Sequence, residues 1–260
     1  MYNGKKVGVG ILTCNRLEYF TNCLHSMQLV KDDIDELIIV NDGDKIEFNT
    51  DIPHKYIHHH EHKCISYSKN EICTYLLHQG CDYIFVIEDD LQIISSECLR
   101  KYIDASIVTK IHHFNFGDYE DKRFNKINIA NYKISDTVIA TYSHVIAALS
   151  FFTRECLIEN GLYDESYHNA MEHADHTYRI SMNKHTTPFG NFADIYNASK
   201  YCILQGGKEN KTSIFNDKSS TQLAINRFCE KYNTSAVAYL YKSKEETLSY
   251  LQQLLKNKEI

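Results

Sequence analysis

The chain has 260 residues, of which 43% are hydrophobic and 24% are charged, and its formal net charge is −6. This length and composition predict a globular protein with one large domain, or with one domain and a small appendage. The negative charge and the lack of a long basic run argue against general affinity for a phosphate backbone. No apolar stretch approaches the roughly 20 residues that a membrane-spanning helix requires.

The cysteines and the N-terminal segment predict a cytoplasmic location. The nine cysteines are scattered along the chain, without the paired spacing of a metal or disulfide framework. The segment before the first predicted strand is too short to contain the apolar core of a signal peptide. An odd number of scattered cysteines without an export signal favours reduced thiols in a cytosol.

Strand-like and helix-like segments alternate through the first half of the chain. The predicted strands are residues 6–13, 36–40, 55–59 and 83–87, and the predicted helices are residues 17–30, 66–79 and 96–109. Strands that alternate with helices of about 10–15 residues predict right-handed βαβ units and a parallel sheet. The segment 83–87 is continuously apolar, which is typical of a strand that is buried on both faces.

The second half of the chain is less regular. Residues 138–153 are strongly apolar and predict one or two strands, while residues 154–160 and 172–183 have helical character. Residues 242–256 predict an amphipathic C-terminal helix. Residues 205–220 are rich in Gly, Lys, Asn and Ser, and we expect a mobile loop there.

Polar residues follow three of the predicted strands. The first strand ends in Thr13-Cys14-Asn15-Arg16, the second in Asn41-Asp42-Gly43 and the fourth in Glu88-Asp89-Asp90. The carboxyl ends of parallel strands form the ligand-binding edge of an open α/β sheet, so these residues are expected to converge. Adjacent carboxylates repel one another unless a cation joins them, and a hard divalent ion is the usual partner. The alternatives are a plain turn at Asp42 and a solvated acidic turn after the fourth strand.

The chemistry of these groups suits a nucleotide. A carboxylate such as Asp42 can accept the imide N–H of uracil, while Thr13 and Arg16 can approach the base or a diphosphate. Glu88 or Asp89 could hold a ribose hydroxyl, which leaves Asp90 to ligate a metal.

Four segments together resemble glycosyltransferase family 2. They are Val9-Gly10-Ile11-Leu12-Thr13-Cys14-Asn15-Arg16, Leu37-Ile38-Ile39-Val40-Asn41-Asp42-Gly43, Ser68-Lys69-Asn70 and Val86-Ile87-Glu88-Asp89-Asp90. The family pattern is a strand ending in Thr-x-Asn-Arg, a second ending in Asp-Asp-Gly-Ser, an Arg-Asn helix start and a DxD-type metal motif. The resemblance covers roughly residues 6–205. It implies the GT-A fold, a mostly parallel central sheet flanked by helices, here followed by a C-terminal helical extension.

The resemblance also implies a nucleotide-sugar donor, Mn²⁺ or Mg²⁺ as cofactor, and specific contacts. The implied donor contacts are Thr13, Asn15, Arg16, Asp42, Asn70, Glu88 and Asp89, and the implied metal ligand is Asp90. Residues 1–110 would form the nucleotide-sugar-binding half of a domain that spans residues 1–205, and residues 111–205 its acceptor half. Residues 206–260 would form the loop and the helical extension, where Lys208 and Lys211 could clamp the diphosphate.

A second motif carries the expected catalytic residues. Gly161-Leu162-Tyr163-Asp164-Glu165 resembles the family's Gly-x-Phe-Asp-Glu, and residues 172–179 (Glu-His-Ala-Asp-His-Thr-Tyr-Arg) resemble its Glu-Asp-x-Asp-x-x-x-Arg. The position of the general base is occupied by His173, so that the base is either His173 or Glu172. A carboxylate is the commoner base in this resemblance, which slightly favours Glu172. His173 could instead ligate the metal, and Asp175 could orient an imidazole.

Three further residues are expected on the acceptor side. His113 lies in an aromatic segment at residues 112–117, Arg179 closes the catalytic motif, and Asp194 ends the segment 188–194. The histidines at 58–60 and 62 lack the paired spacing of structural zinc, and we interpret them as surface or loop residues.

The sequence thus predicts a metal-dependent inverting glycosyltransferase that moves a sugar from a UDP-sugar to an acceptor hydroxyl, by default in bacterial surface glycan synthesis. One alternative is a phage enzyme that glycosylates a hydroxymethylated DNA base. It would require a local basic groove, with candidates Lys110, Lys122, Arg123, Lys126, Lys208 and Lys211. Another alternative is a non-catalytic nucleotide-sugar-binding module. A nucleotidyltransferase is disfavoured because no Gly-rich basic loop follows the first strand.

Overall fold

The computed structural model describes residues 1–119, 128–205 and 218–256. The strands in these ranges are β1 (Val7–Thr13), β2 (Glu36–Asn41), β3 (Lys55–His58), β4 (Tyr83–Glu88), β5 (Leu91–Ile93), β6 (His113–Asn115), β7 (Asn128–Ile134), β8 (Thr137–Tyr142), β9 (Leu149–Thr153), β10 (Phe192–Ile195) and β11 (Cys202–Leu204). The α-helices are α1 (Leu17–Ser26), α2 (Ile65–His78), α3 (Cys98–Thr109), α4 (Arg154–Asn160), α5 (Glu172–Met182), α6 (Lys218–Lys231) and α7 (Lys244–Lys256). None of the helices in these ranges is both long and apolar enough to cross a bilayer.

The central sheet is mixed, with a parallel half that comes from the start of the chain. Its six strands lie in the order β3-β2-β1-β4-β9-β6, and the first four are parallel. Strand β9 pairs antiparallel with both β4 and β6. All seven residues of β1 are buried, because helices cover both faces of the sheet at its centre. The predicted parallel sheet of βαβ units is therefore confirmed.

Side chains alternate across β1 between two cores. Val7, Val9 and Ile11 pack into the core on one face of the sheet, together with apolar residues of α1 and α3. Leu12 packs into the core on the other face, with α2, α4 and Ile180 of α5. Glycine at position 10 allows α2 to approach the strand, since a Cβ there would lie 2.0 Å from Cγ2 of Ile72. This contact brings the middle of α2 close to the middle of β1.

Two smaller sheets complete the fold. Strands β10, β8 and β7 form one antiparallel sheet, and β11 pairs with β5 in the other. The last two helices pack onto the rest of the chain through Phe228 of α6 and Leu251 of α7, which are 0% and 2% exposed.

The structure corrects one part of the expected loop at residues 205–220. Residues 218–220 are helical and begin α6, while residues 206–217 lie outside the described ranges. The short strands β5, β6, β10 and β11 carry three or four residues each, too few to give a recognisable period.

Candidate active site

The ends of β1, β2 and β4 meet at one edge of the central sheet. Thr13 is paired with Asn41, and Leu12 is paired with Glu88. A cavity of about 310 Å³ opens at this edge. It is lined there by Thr13, Arg16, Asp42, Glu88 and Asp90. Its volume is at the lower end of the range for small-molecule sites.

Asp89 faces the protein and supports Arg16. The side chain of Asp89 is 0% exposed; it accepts a 2.6 Å hydrogen bond from Oγ1 of Thr13 and a further one from the Arg16 guanidinium. Burial raises the pKa of Asp89 to about 7, even though the positive charge of Arg16 opposes this. With these partners, Asp89 positions Arg16 and Thr13. Of the two residues that the sequence offered for a ribose hydroxyl, Glu88 lines the cavity, whereas Asp89 is buried beneath it.

Asp90 is the carboxylate that fits a metal ligand. It lines the cavity, and its Oδ2 lies 3.1 Å from Nη1 of Arg16, so the carboxylate is paired with a positively charged guanidinium. Within the described ranges, no three His, Cys, Asp or Glu side chains are grouped so that they could hold an ion by themselves. Ions such as Mg²⁺ are commonly held by one or two carboxylates plus the phosphates of the substrate. Asp90 suits that mode of binding, in which the chain supplies only part of the ligand set.

Asp42 is held by the segment that leads into α2. Its carboxylate accepts hydrogen bonds from the backbone N–H groups of Lys63 and Cys64, at 2.7 and 2.8 Å. Nδ1 of His59 lies 2.6 Å from the same carboxylate, and Nε2 of His59 lies 2.5 Å from Glu71. These contacts fix the direction of Asp42 at the cavity wall.

Asn15 stabilises the turn beside Asp42. Its backbone has a φ of 55°, in the left-handed region that Asn tolerates better than most residues. Its Oδ1 accepts a 2.6 Å hydrogen bond from the backbone N–H of Asp44. A side chain at Gly43 would collide with Asn15, since a Cβ there would lie 2.3 Å from Oδ1. The predicted donor residue Asn15 thus joins the ends of β1 and β2.

Lys69 connects the metal-motif strand with the predicted catalytic segment. The side chain of Lys69 is 0% exposed, and its Nζ lies 2.8 Å from both Glu88 and Glu172. Burial favours the neutral amine, but the two carboxylates outweigh this effect and raise the pKa of Lys69. Burial also raises the pKa of Glu88 against the opposing charge of Lys69. The sequence motif contained Lys69, but its role as a bridge depends on residues far away in the chain.

Glu172 and His173 have different environments. Burial alone would raise the pKa of Glu172, but the Lys69 ammonium outweighs it and holds that pKa well below the usual range. His173 is 19% exposed and lines the cavity, with Nδ1 3.4 Å from Oε1 of Glu172. The left-handed backbone of Met171, with a φ of 67°, precedes the pair at the start of α5. Glu172 is therefore held ionised beside an imidazole that faces the cavity.

Asp175 and Arg179 stabilise the packing of α5. Asp175 is completely buried and accepts hydrogen bonds from Lys231 at 2.7 Å, Tyr232 at 2.8 Å and Arg179 at 3.1 Å. Arg179 also donates to the backbone oxygens of Asn160 and Leu162, at the end of α4. Asp175 thus orients α6 rather than an imidazole, and Arg179 is occupied in the same packing instead of facing an acceptor.

His113 and Asp194 also differ from the prediction, because both are buried away from the cavity. His113 stacks on Phe152 with ring centroids 4.4 Å apart, and burial lowers its pKa to about 4. Asp194 is fully buried and accepts a 2.8 Å hydrogen bond from Tyr102, and burial raises its pKa to about 7. These residues hold strands and loops together.

Asn70 is turned toward the motif at Tyr163. Its Nδ2 donates to the backbone oxygen of Tyr163 at 3.0 Å and to Glu165 at 2.9 Å, and its Oδ1 accepts from the N–H of Tyr163. The predicted donor contact at Asn70 is thus a link between α2 and the turn before α5.

Two sets of cavity residues had no clear sequence signal. His62 lines the cavity beside Asp42, although the histidine tract was interpreted as surface or loop. Thr221 of α6, Val237 and Tyr241 extend the wall from the C-terminal part of the chain. Lys122, Arg123, Lys126, Lys208 and Lys211, predicted as phosphate or DNA contacts, lie outside the described residues. Lys110, the remaining member of that group, ends α3 in a left-handed conformation with a φ of 62°.

Comparison with known proteins identifies the fold. No family model matches the chain, and no curated protein matches its sequence. Among solved structures, one that is similar is GalNAc-T7 with UDP, GalNAc and Mn²⁺. The similarity covers 100% of this chain and 55% of the GalNAc-T7 chain, at 13% sequence identity and a TM-score of 0.63. Another is the mannosyltransferase PcManGT from Pyrobaculum calidifontis, in complex with GDP-Man and Mn²⁺. The similarity covers 98% of this chain and 75% of the PcManGT chain, at 13% sequence identity and a TM-score of 0.59.

A third similar structure is S. aureus TarS 1–349 in complex with UDP-GlcNAc. The similarity covers 96% of this chain and 71% of the TarS chain, at 12% sequence identity and a TM-score of 0.58. The mostly parallel sheet flanked by helices agrees with all three likenesses. The chain therefore has the GT-A fold, the fold of these nucleotide-sugar glycosyltransferases.

Proposed function

We propose that this protein is a glycosyltransferase that moves a hexosyl or pentosyl group from a UDP-sugar to an acceptor hydroxyl, with inversion at the anomeric carbon. The proposal rests on one observation above all. A single cavity is lined by Asp42 and Asp90 from the nucleotide-side strand ends and by the Glu172–His173 pair from α5. The uridine nucleotides in the GalNAc-T7 and TarS structures support UDP as the carrier.

His173 is the general base in this proposal, with Glu172 as its partner. The acceptor oxygen attacks the anomeric carbon while its proton moves to the imidazole, and the bond from that carbon to the diphosphate oxygen breaks on the opposite face. Glu172 is a poor proton acceptor because Lys69 stabilises its ionised form. The same negative charge stabilises the imidazolium that forms on His173. A positioned base of this kind contributes about 10²–10⁴-fold to the rate.

Asp90 is proposed to hold Mn²⁺ or Mg²⁺ together with the donor phosphates. When bound, the ion would offset the negative charge that develops on the departing diphosphate. Arg16 supplies a fixed positive charge at the same end of the cavity, since Asp89 and Asp90 both contact it. The Mn²⁺ in the PcManGT and GalNAc-T7 structures supports the use of a divalent ion.

The proposed acceptor is a glycan of the kind found on bacterial surfaces, and the proposed place of action is the cytoplasm. The acceptor follows from the sequence resemblance to glycosyltransferase family 2. The location is supported by the cysteines, all nine of which are free thiols in the structure.

Asp90→Ala tests the metal assignment. Transfer, or hydrolysis of the UDP-sugar in the presence of Mn²⁺, should fall by about 10²-fold or more, because charge stabilisation worth several kcal/mol is lost. The melting temperature should stay near that of the wild type, since the substitution removes one of several clustered negative charges. Turnover is measured with purified protein over a panel of UDP-sugars.

Asp136→Ala is the matched control, because Asp136 lies exposed in the turn between β7 and β8. It should leave both turnover and melting temperature unchanged. Undiminished turnover of the Asp90→Ala protein would contradict the metal site. A wild-type protein that binds UDP but neither transfers nor hydrolyses any sugar would instead be a binding module.

A further inference from the structure

The carboxylate of Asp42 is surrounded by polar groups of this chain. Oδ1 lies 2.7 Å from the backbone nitrogen of Lys63 and 2.6 Å from Nδ1 of His59. Oδ2 lies 2.8 Å from the backbone nitrogen of Cys64 and 2.8 Å from Nδ1 of His62. An ionised carboxylate offers about four lone-pair sites. The two backbone N–H groups and His59 donate to three of them, while Nδ1 of His62 is hydrogen-bonded to the backbone oxygen of Asp42 and its ring lies beside the remaining one. A nucleobase that donates an N–H to Asp42 must therefore take the place of one of these neighbours.

The three groups that donate to the carboxylate are fixed. The nitrogens of Lys63 and Cys64 belong to the backbone that starts α2, where the N–H of Ser68 donates to the oxygen of Cys64 at 3.2 Å. Cys64 has a φ of 79° and a ψ of 164°, a conformation found almost only in Gly, and the surrounding contacts keep it there. His59 is 7% exposed, and its second nitrogen is tied to Glu71 at 2.5 Å.

His62 differs from these three groups. Its side chain is 50% exposed and lines the cavity together with Asp42. Its Nδ1 also lies 3.0 Å from the backbone oxygen of Asp42, so the imidazole contacts both the backbone and the side chain of Asp42. Asp42 itself is only 6% exposed. A half-exposed side chain can rotate away at little cost. The backbone N–H groups of Lys63 and Cys64 cannot leave without disrupting the segment that leads into α2, and His59 is held by burial and by Glu71.

We propose that His62 occupies the position of the donor base, and that the imide N–H of uracil binds Asp42 only when His62 is displaced. The inference rests on the proposed use of a uridine nucleotide. Because the imidazole competes with the base for one carboxylate oxygen, His62 weakens nucleotide binding and also shields Asp42 when no nucleotide is bound. It is a residue of the nucleotide site that acts by competition rather than by direct recognition.

The test compares UDP binding to the wild type and to His62→Ala by isothermal titration calorimetry. Half-exposed charged contacts contribute little, so His62→Ala should bind UDP about two- to fivefold more tightly. His60→Ala is the matched control, because His60 is exposed in the same loop and its ring contacts His58. It should bind UDP like the wild type.

A second ligand separates competition from a general change in the loop. In UDP methylated at N3 of uracil the imide proton is absent, so His62→Ala should bind it no more tightly than the wild type does. Equal or weaker binding of UDP by His62→Ala would overturn the proposal, as would an equal gain for both nucleotides. If neither wild type nor variant binds UDP at millimolar concentration, the proposed donor and this inference both fail. If both bind UDP equally, only the role of His62 fails.

Discussion

Glu172 and His173 are neighbours in sequence, but their surroundings give them different chemistry. Glu172 is buried against Lys69, which stabilises the ionised carboxylate and makes it a weak base. His173 contacts that carboxylate and faces the cavity. The sequence slightly favoured Glu172 as the base, because a carboxylate is commoner at such sites. The geometry favours the imidazole, because the lysine that changes the balance lies 103 positions away.

Substitution of the pair tests this assignment. His173→Asn should lower kcat by about 10²–10⁴-fold at saturating donor and leave UDP binding intact, because only proton removal is lost. Glu172→Gln keeps the imidazole and removes its charged partner, so its loss in kcat should be smaller. The rates are measured as sugar transfer at saturating donor, with UDP affinity measured separately. If kcat falls in Glu172→Gln but not in His173→Asn, Glu172 is the base. If both variants keep the wild-type kcat, neither residue takes part in catalysis.

His113 should make stability depend on pH. Burial lowers its pKa to about 4 from the ordinary histidine value of 6.5, so between these two pH values the unfolded chain binds a proton at this residue and the folded chain does not. The contribution of His113 to the free energy of unfolding is therefore fully present above about pH 6.5 and is lost as the pH falls toward 4. The shift corresponds to about 3 kcal/mol.

His113→Gln isolates that contribution, because glutamine does not titrate. Urea unfolding is measured for both proteins at pH 7.5 and pH 4.5. The wild type should lose more stability on acidification than the variant, by a large part of that 3 kcal/mol. Parallel pH dependence of the two proteins would show that His113 is protonated in the folded state or that it is not buried.

Helix α6 shows how an element can be missed when it packs through few residues. Among its residues, Phe228 alone is buried, and its ring contacts Phe189 and Tyr232 at centroid distances of 6.0 and 4.8 Å. Lys231, near the end of the helix, donates to Asp175 on α5. One buried aromatic ring and the ion pairs of a single lysine do not create a periodic pattern in the sequence. The helix nevertheless contributes Thr221 to the cavity wall.

Phe228→Ala tests the importance of this packing. Removal of a completely buried phenyl ring should lower the free energy of unfolding by about 3–5 kcal/mol. Sugar transfer should fall as well, because the wall that contains Thr221 is loosened. Leu223→Ala on the same helix is the control: Leu223 is 69% exposed, so stability should change by less than about 0.5 kcal/mol. Denaturant unfolding and transfer assays are performed on both; equal effects would contradict the packing argument.

At the scale of the molecule, the first half of the chain was the more predictable half. Strands β1, β2 and β4 are continuous apolar runs, and the helices between them have a clear period, so local sequence was sufficient. The second half adds β9, which pairs antiparallel with β4, and a separate sheet of β7, β8 and β10. Those pairings join distant parts of the chain, and the short strands carry too few residues to reveal them.

The structure brings some of the predicted site residues together at one cavity and places others in the packing of the fold. Thr13, Arg16, Asp42, Glu88 and Asp90 line one cavity together with Glu172 and His173. Asn70, His113, Asp175, Arg179 and Asp194 instead hold turns, helices and strands together. A motif identifies a polar residue, but it does not tell whether that residue faces a cavity or a buried partner. That choice depends on which element packs against it.

The amino-acid sequence by itself determined the order of strands and helices in the parallel half, and the polar residues at three strand ends. These are local properties, because hydrophobic periodicity and turn chemistry act over a few residues. Only the tertiary structure decided that Lys69 joins Glu88 to Glu172, that His62 lies against Asp42, and that α6 contributes Thr221 to the cavity wall. Those outcomes depend on burial and charge pairing between segments that are distant in the chain, which no local pattern contains.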